Sequence, residues 1–326
     1  MRPARRGFLF CSLVAALPAF AQLSRMRRVG VLTGRSREAA IETGLVAALA
    51  QAMHEHGHVE GRNVQYDWRY GAGDYAELRR LAEDLVRLKV DVIVADGTSA
   101  ISAAKQATAE IPIVMSTSAD PVGSGFVQSL ARPGGNITGQ TSIQIEAVPK
   151  RLELLAAVVP GLARIGALGN PANPSGAGFV KSVESAAKKF KLAVVVVQAK
   201  SLSELEAAFA RLDQGKVQAL VVTSDAFFIA QRRKLVDLAA RSRLPVIYPN
   251  REYFDVGGLM VYGVNTPKMF RSAAAYVDKI LKGARPGELA IEQPDALDLL
   301  VNLKTAEEIG LKMPQTLLIR ANEVVR

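Results

Sequence analysis

The segment IPIVMSTSADPVGSGFVQSLARPGGNITG, residues 111–139, contains the most informative pattern of the chain. Its apolar beginning, Ile111–Met115, predicts a buried strand, and the small polar residues of Ser116–Pro121 predict a loop at the end of that strand. A short amphipathic helix is expected over 126–130, ending before Pro133. A strand, a polar loop and a helix in this order are typical of an open α/β sheet, where ligands bind beyond the carboxyl ends of the strands.

The rest of the chain repeats this alternation in two successive series. Strands are predicted in the first series at 28–32, 63–70, 90–95, 111–115 and 136–140. In the second series they are predicted at 164–168, 193–197, 219–223, 245–248, 258–262 and 297–303. Helices are predicted at 37–54, 75–88, 100–109, 148–158, 174–190, 203–212, 229–240 and 267–282. We therefore predict an α/β fold of two doubly wound, Rossmann-like lobes.

The composition is that of a globular protein with enough chain for two domains. The 326 residues are 49% hydrophobic and 22% charged. The formal net charge is +10, but basic residues are interspersed with acidic ones and aromatic residues make up only 6%, which argues against nucleic-acid binding. Cys11 is the only cysteine, and its early position after Phe10 argues against a lipid anchor.

The first residues have the pattern of an export signal. Basic residues within the first six positions precede an apolar run at 8–20, and Ala19–Ala21 offers a small-x-small cleavage site. We predict a signal peptide over 1–21 and a periplasmic location. The pair Arg5-Arg6 also resembles a twin-arginine signal, so that both the general secretory route and the twin-arginine route stay open.

The segment His54–His58 matches the metalloprotease pattern H-E-x-x-H. Both histidines must lie on one face of a continuous helix to bind one ion, and Gly57 stands where the helix pattern ends. We interpret the segment as a polar helix terminus, with adventitious metal binding as the alternative. There is no G-x-S-x-G elbow and no phosphate-binding glycine loop, so we predict no enzymatic activity and no cofactor. An acid–base pair of Asp120 and Asp225 is the enzymatic alternative.

Small polar residues follow the predicted strands of both series. Each such residue is more often a helix cap or a turn residue than a ligand contact, but lobes that face each other would bring these loops to one cleft. Thr33 and Arg35, after the first strand, are therefore candidate binding residues. The loops concerned are 33–35, 96–99, 116–120, 170–171, 224–225 and 248–252.

Several motifs resemble, in order and spacing, those of a family of bacterial ABC-transporter substrate-binding proteins. The motifs are Val59–Val64, Ile111–Gly139, Asn170–Pro174, Arg251–Phe254, Gly257–Gly263, Tyr276–Gly283, Glu292–Pro294 and Asn302–Ala306. The resemblance covers nearly the whole chain after the predicted signal. It implies the type I periplasmic-binding-protein fold, in which two lobes are joined by a hinge, an interlobe cleft lies between them, and the chain crosses three times from one to the other. The family includes tryptophan- and tyrosine-binding receptors.

The resemblance also implies lobe boundaries and partners. Lobe 1 is expected to comprise 28–143 plus 265–293, and lobe 2 to comprise 144–264 plus 294–326. A monomer that captures a small polar or aromatic molecule, with an amino acid as one candidate, is expected to deliver it to an inner-membrane ABC permease and ATPase. The alternative is a periplasmic ligand-sensing module that reports to a signalling receptor.

The resemblance implies eight further candidate binding residues, which are assigned by their positions relative to the family's motifs. Asp225 suits the ammonium group of an amino acid, and Thr98 and Ser99 at a helix start suit its carboxylate. Phe227 or Phe228, after Asp225, would either narrow the pocket or belong to the core. The carried-over residues are Thr98, Ser99, Ser118 and Asp120 in lobe 1, and Asn170, Ser175, Asp225 and Tyr248 in lobe 2.

Overall fold

Two sheets of mostly parallel strands organise the protein, whose structure is a computed structural model that describes residues 25–326. The predicted signal peptide, residues 1–21, lies outside the described residues. The strands are β1 (Arg27–Thr33), β2 (Val64–Tyr70), β3 (Val92–Asp96), β4 (Ile113–Thr117), β5 (Ile137–Gly139), β6 (Arg164–Gly169), β7 (Ala193–Gln198), β8 (Ala219–Val222), β9 (Val246–Tyr248), β10 (Met260–Gly263), β11 (Asp298–Asn302) and β12 (Glu323–Val325).

Helices cover both faces of the sheets, and a 3-10 helix spans Pro286–Glu288. The helices are α1 (Arg37–Glu42), α2 (Leu45–Glu55), α3 (Tyr75–Arg87), α4 (Thr98–Ala107), α5 (Val148–Val158), α6 (Gly176–Lys189), α7 (Leu202–Gln214), α8 (Ala226–Ala230), α9 (Arg232–Arg241), α10 (Arg251–Phe254), α11 (Thr266–Leu281), α12 (Leu303–Glu308) and α13 (Gln315–Leu318).

The strand orders confirm the predicted α/β fold with two doubly wound lobes. The first sheet has the order β2-β1-β3-β4-β5, and all its pairs are parallel. The second sheet has the order β12-β11-β10-β9-β8-β6-β7, with β11 antiparallel to β10. Strands buried on both faces explain the continuous apolar runs of the sequence, such as the fully buried β3. We call the body around the first sheet lobe 1 and the body around the second sheet lobe 2.

The chain crosses between the lobes three times. After β5 it enters α5 of lobe 2, and after β10 it returns, because α11 packs against α2, β3 and β4 of lobe 1. Phe270 and Val277 of α11 are fully buried there, in one core with Val31 and Leu49. The chain then crosses back to form β11 and β12 at the edge of the second sheet. The residue boundaries of the lobes given above stay predictions.

A buried arginine ties the first crossing segment to β10, the strand that precedes the second crossing. The guanidinium of Arg151, on α5, donates to the carbonyl oxygens of Tyr262 at 3.0 Å and Gln144 at 3.3 Å, and to the side-chain oxygen of Gln144. Gln144 in turn donates to the carbonyl oxygen of Pro249 at 3.4 Å. Burial lowers the pKa of Arg151 to about 9. The first crossing and the end of β10 therefore share one hydrogen-bonded cluster.

The helix predicted over 126–130 is wrong, because the N–H groups of Phe126 and Gln128 donate to the carbonyl oxygens of Pro121 at 2.9 Å and Pro133 at 3.1 Å rather than four residues back. Turns over 121–125 precede the segment, where Asp120 accepts a hydrogen bond from the backbone N–H of Gly123 at 2.7 Å and Gly125 has a φ of +69°. Phe126 and Val127 are nevertheless buried in the core of lobe 1. The apolar spacing therefore predicted correctly that Phe126 and Val127 are buried, but it predicted the helical geometry incorrectly.

Two other predicted helices are each divided into two. The helix predicted over 37–54 consists of α1 and α2, separated at Gly44 with a φ of +75°. The helix predicted over 229–240 consists of α8 and α9, which meet at Gln231. The helix α8 starts three residues earlier than expected, because the carboxylate of Asp225 accepts from the N–H of Phe228 and caps it.

Gly139→Ala is expected to destabilise lobe 1. Gly139 has a φ of +123°, and a Cβ there would lie 2.3 Å from the carbonyl oxygen of Met115 on the neighbouring strand. The backbone strain alone is worth about 1–3 kcal/mol, which urea unfolding would measure. Gly135→Ala is the matched control, because a Cβ at that position meets nothing within 4 Å. Equal stability of the two variants would contradict the pairing of β4 with β5.

Candidate functional site

A small cavity lies between the lobes where the carboxyl ends of their strands meet. Its volume is about 30 Å³, which holds no more than a couple of water molecules. A Cβ at Gly34 of lobe 1 would lie 2.5 Å from the Cβ of Ala226 of lobe 2, so that the lobes are in close contact. We call this space the central cavity. The polar residues at its wall include Arg35, Asp96, Thr98 and Ser99 of lobe 1 and Asn173 and Asp225 of lobe 2.

Arg35 joins the two lobes through a buried ion pair. It follows β1, and its Nη1 donates to Oδ2 of Asp96, the last residue of β3. Its Nε and Nη2 both approach Oε1 of Glu252 on α10 of lobe 2, at 2.8 Å and 2.6 Å. Burial lowers the pKa of Arg35, but the charges of Asp96 and Glu252 outweigh burial and raise it above its ordinary value. Arg35 is therefore a permanent cation shared by the lobes.

Asp96 is held in place by hydroxyl groups at the ends of the strands of lobe 1. Thr33 donates to its Oδ2 at 2.8 Å, and Thr117 and Ser116 donate to its Oδ1 at 3.0 Å and 3.3 Å. All four residues are buried. The small polar residues at the strand ends therefore orient the carboxylate of Asp96, which Arg35 binds. Thr33 contributes by holding Asp96 in place and does not itself line the cavity.

The carboxylate of Asp225 is fully occupied by protein donors. Its Oδ1 accepts from Asn170 Nδ2 at 3.1 Å and from the N–H of Phe228 at 3.2 Å. Its Oδ2 accepts from Asn173 Nδ2 at 2.9 Å and from the hydroxyl of Tyr75 at 2.5 Å. Four bonds saturate a carboxylate. An ammonium group would therefore bind Asp225 by displacing one of these donors.

Tyr75 is the donor that comes from the opposite lobe. It begins α3 of lobe 1, directly after the N-cap residue Asp74. Burial and then the charge of Asp225 raise the pKa of Tyr75 above its ordinary value, which keeps the hydroxyl a donor. Sequence reasoning missed Tyr75, because it does not follow a strand directly. An aromatic residue beside the Gly71–Gly73 turn is the signal that could have found it.

The first turn of α4 offers backbone donors to the same cavity. Gly97 precedes the helix with a φ of +86° and has no side chain to cap it. Gly97, Thr98 and Ser99 all lie at the cavity wall. The free N–H groups of a helix start bind anions, so that a carboxylate is the matching ligand group.

The other candidate residues lie behind or away from the central cavity. Ser175 donates to Oδ1 of Asn173 at 2.8 Å, behind the residue that contacts Asp225. Ser118 is buried, and its carbonyl oxygen accepts from the backbone N–H of Ser142 at 2.7 Å. Within residues 25–326 the hydroxyl of Ser118 has no hydrogen-bond partner. Both residues thus shape the loops without lining the cavity.

The structure places Asp120 and Tyr248 outside the cavity wall. The carboxylate of Asp120 closes the turn to Gly123 described above. Tyr248 is buried in the core of lobe 2, where its ring stacks on Tyr253 with centroids 4.5 Å apart. Asp120 and Asp225 therefore do not share the central cavity. Asp96, Asn250 and Glu252 lie in the predicted loops 96–99 and 248–252 but were not among the selected site residues. Tyr75 and Asn173 lie outside all the predicted loops.

The two phenylalanines after Asp225 have different surroundings. Phe228 is fully buried in the core of lobe 2. Phe227 is half-buried and, with Tyr75 and Asn170, lines an outer opening of about 430 Å³ between the lobes. Phe227 thus stands at the mouth of the cleft, and Phe228 in the core.

The histidine motif and the helices carry no further site. The helix α2 ends at Glu55, and Gly57 has a φ of +87°, so that His58 lies beyond the helix and contacts Asp278 at 2.9 Å. Within 25–326 no group of three His, Cys, Asp or Glu residues is arranged to hold a metal ion. The same described residues contain no helix that is long and apolar enough to cross a bilayer.

Arg35→Met is expected to lower the free energy of unfolding by about 3–5 kcal/mol, because it leaves two buried carboxylates without their partner. Arg251→Met is the matched control. Arg251 is exposed and pairs with Glu323 at 2.6 Å, so that its loss is expected to cost less than about 1 kcal/mol. Denaturant unfolding measures both variants. A loss at Arg35 no larger than at Arg251 would contradict the role of the ion pair.

Comparison with known proteins identifies the family. The model of the family described as ABC transporter substrate binding protein matches residues 31–325. The tyrosine-binding protein of Clostridioides difficile (strain R20291) is 27% identical over 262 residues, which are 80% of this chain and 75% of that protein.

Two solved structures are similar over 92% of this chain and 100% of theirs, each with a TM-score of 0.85. One is a conserved domain protein from Vibrio cholerae O1 biovar El Tor, at 25% identity. The other is an ABC domain in complex with L-Trp from Streptococcus pneumonia, at 24% identity, which supports the fold. Because the family model matches nearly all described residues, the chain belongs to the family of ABC transporter substrate-binding proteins.

Proposed function

We propose that this substrate-binding protein captures a free amino acid in the central cavity and delivers it to an ABC permease. One observation carries the proposal. The uncapped start of α4 in lobe 1 and the carboxylate of Asp225 in lobe 2 line one small cavity. These are the anion-binding and cation-binding groups that a zwitterion needs. Of the related proteins described above, one is named a tyrosine-binding protein and another was solved in complex with L-Trp. Both descriptions support an amino acid as the ligand class.

Binding is coupled to closure because the two groups belong to different lobes. With the lobes apart, the ammonium group takes the place of the Tyr75 hydroxyl on Asp225, and the carboxylate accepts from the first N–H groups of α4. Each charge-assisted hydrogen bond contributes about 1.5–3 kcal/mol. Because both ends of the solute are bound only when the lobes approach, the solute favours the closed form.

The central cavity is too small for any amino acid until the lobes separate, and the polarity of its wall favours a small polar amino acid over an aromatic one. The cavity measures about 30 Å³, and Ile229 is the only large apolar residue at its wall within residues 25–326. An indole or phenol ring would need an apolar slot and a wider separation of the lobes. Phe227 and Tyr75 at the outer opening are the side chains that such a ring would have to displace.

The remaining parts of the proposal follow from the family. We infer that the protein is exported to the periplasm, acts as a monomer, performs no catalysis and docks in its closed form on a permease with its ATPase. No feature of residues 25–326 favours the signalling alternative.

Thermal unfolding in the presence of single amino acids, aromatic acids and small amides tests the proposal. A solute at 100 times its Kd is expected to add ~2.7 kcal/mol to the free energy of unfolding. Asp225→Asn removes the negative charge and is expected to weaken the affinity roughly 10- to 100-fold. Calorimetry measures this loss.

Asp237→Asn is the matched control, because Asp237 pairs with Arg241 on the surface of lobe 2. It is expected to leave the affinity unchanged. Unaltered affinity in Asp225→Asn would refute the role of that carboxylate, and a library without any stabilising compound would refute amino-acid capture.

A further inference from the structure

Two openings lie between the lobes beside the central cavity, and Tyr75 lines both of them. The outer opening of about 430 Å³ has Tyr75 and Phe227 in its wall. A second, smaller opening of about 100 Å³ has Tyr75 and Ser99 in its wall. Both openings also share Ala172 of lobe 2. Tyr75 therefore stands on the lobe 1 side between the two openings.

The side chain of Tyr75 extends from these openings to the central cavity. Its hydroxyl donates to Oδ2 of Asp225, which lines the central cavity, at 2.5 Å. Ser99 lines both the central cavity and the smaller opening, so that these two spaces adjoin. Asn170, in the wall of the outer opening, donates to Oδ1 of Asp225 at 3.1 Å. The ring of Tyr75 is thus part of the partition between the central cavity and both openings.

The turn before α3 fixes the position of Tyr75 between the lobes. The N–H of Gly73 donates to the carbonyl oxygen of Gly34 at 2.8 Å, which joins the turn to the end of β1. Gly73 has a φ of +86°, and a Cβ there would lie 2.8 Å from the Cβ of Ala230 on α8. Because the turn is in close contact with lobe 2, a solute displaces the ring of Tyr75 only by rotating its side chain or by separating the lobes.

A solute that binds Asp225 meets both parts of the Tyr75 side chain. Its ammonium group takes the place of the hydroxyl on Oδ2 of Asp225, and its own side chain then meets the ring. A side chain of one or two heavy atoms needs little of the volume that the ring fills. An aromatic side chain needs that volume, because the central cavity measures only about 30 Å³.

We propose that Tyr75 is the residue that limits the size of the solute, so that the site admits amino acids with side chains of at most two heavy atoms and excludes aromatic ones. This inference rests on the proposed function and assigns the specificity of that site to one side chain. Phe227 is a weaker candidate, because it lines the outer opening and not the central cavity.

Two variants of Tyr75 separate the effect of the ring from that of the hydroxyl, and calorimetry measures their affinities. Tyr75→Ala removes both groups and is expected to bind L-phenylalanine roughly 10-fold or more tightly than the wild type, because the aromatic side chain then buries in the vacated space. Tyr75→Phe keeps the ring and is expected to exclude L-phenylalanine as the wild type does. It is expected to bind glycine, L-alanine or L-serine roughly 2- to 10-fold more tightly, because the ammonium group no longer displaces a hydroxyl.

Arg79→Ala is the matched control. Arg79 lies one turn further along α3, is exposed, and lines the smaller opening but not the central cavity. It is expected to leave all these affinities unchanged. A side chain that only supported the fold would weaken binding in both Tyr75 variants, whereas the inference expects one gain in each.

Three results would overturn the inference. They are no gain of L-phenylalanine binding in Tyr75→Ala, an equal gain in Arg79→Ala, and weaker binding of the small amino acids by Tyr75→Phe. The last result decides the question even where Tyr75→Ala does not fold. The proposed function survives all three results if the wild type binds a small amino acid. Absence of amino-acid binding to the wild type and to both Tyr75 variants would overturn the proposed function together with the inference.

Discussion

The buried cation of Arg35 between Asp96 and Glu252 is the interaction on which the arrangement of the lobes depends. Removing three charges from water costs several kcal/mol per ion, and the cost is offset only when each charge keeps its partners. Asp96 keeps Arg35 and the hydroxyl donors of lobe 1 in any arrangement of the lobes. Glu252 meets Arg35 only when the lobes touch. The closed arrangement therefore requires this ion pair, because closure without it would bury the carboxylate of Glu252 without a cation.

A second contact, between Tyr75 and Asp225, differs in kind because a ligand can replace it. Tyr75 gives Asp225 a neutral donor, whereas an ammonium group would give it a charged one. Two interactions therefore hold the lobes closed. The ion pair of Arg35 and Glu252 involves protein groups alone, whereas a solute can replace the hydrogen bond from Tyr75 to Asp225 with a stronger one. Such a division makes the closed form accessible without solute and more stable with it.

Most of the fold was predictable, because strands and helices leave local patterns of apolar residues in the sequence. The apolar run Val90–Ala95 and the restart of the βα alternation after residue 143 indicate two sheets without any long-range information. The site was less predictable, because its contacts join residues such as Tyr75 and Asp225 that lie 150 positions apart. Asp120 was selected by the same criterion as Asp225, because both follow a predicted strand. The carboxylate of Asp120 instead closes a local turn, as carboxylates in turns often do.

The antiparallel strand β11 has a consequence for the order of folding. The second sheet takes β11 and β12 from the last thirty residues, and lobe 1 takes α11 from the segment just before them. A chain made only as far as residue 260 could complete neither lobe. Its buried strand β9 would be an exposed edge with unpaired backbone groups, which is a template for aggregation. Both lobes therefore reach their complete set of elements only after the chain beyond residue 265 has been made, although the strands of the first sheet are all present by Gly139.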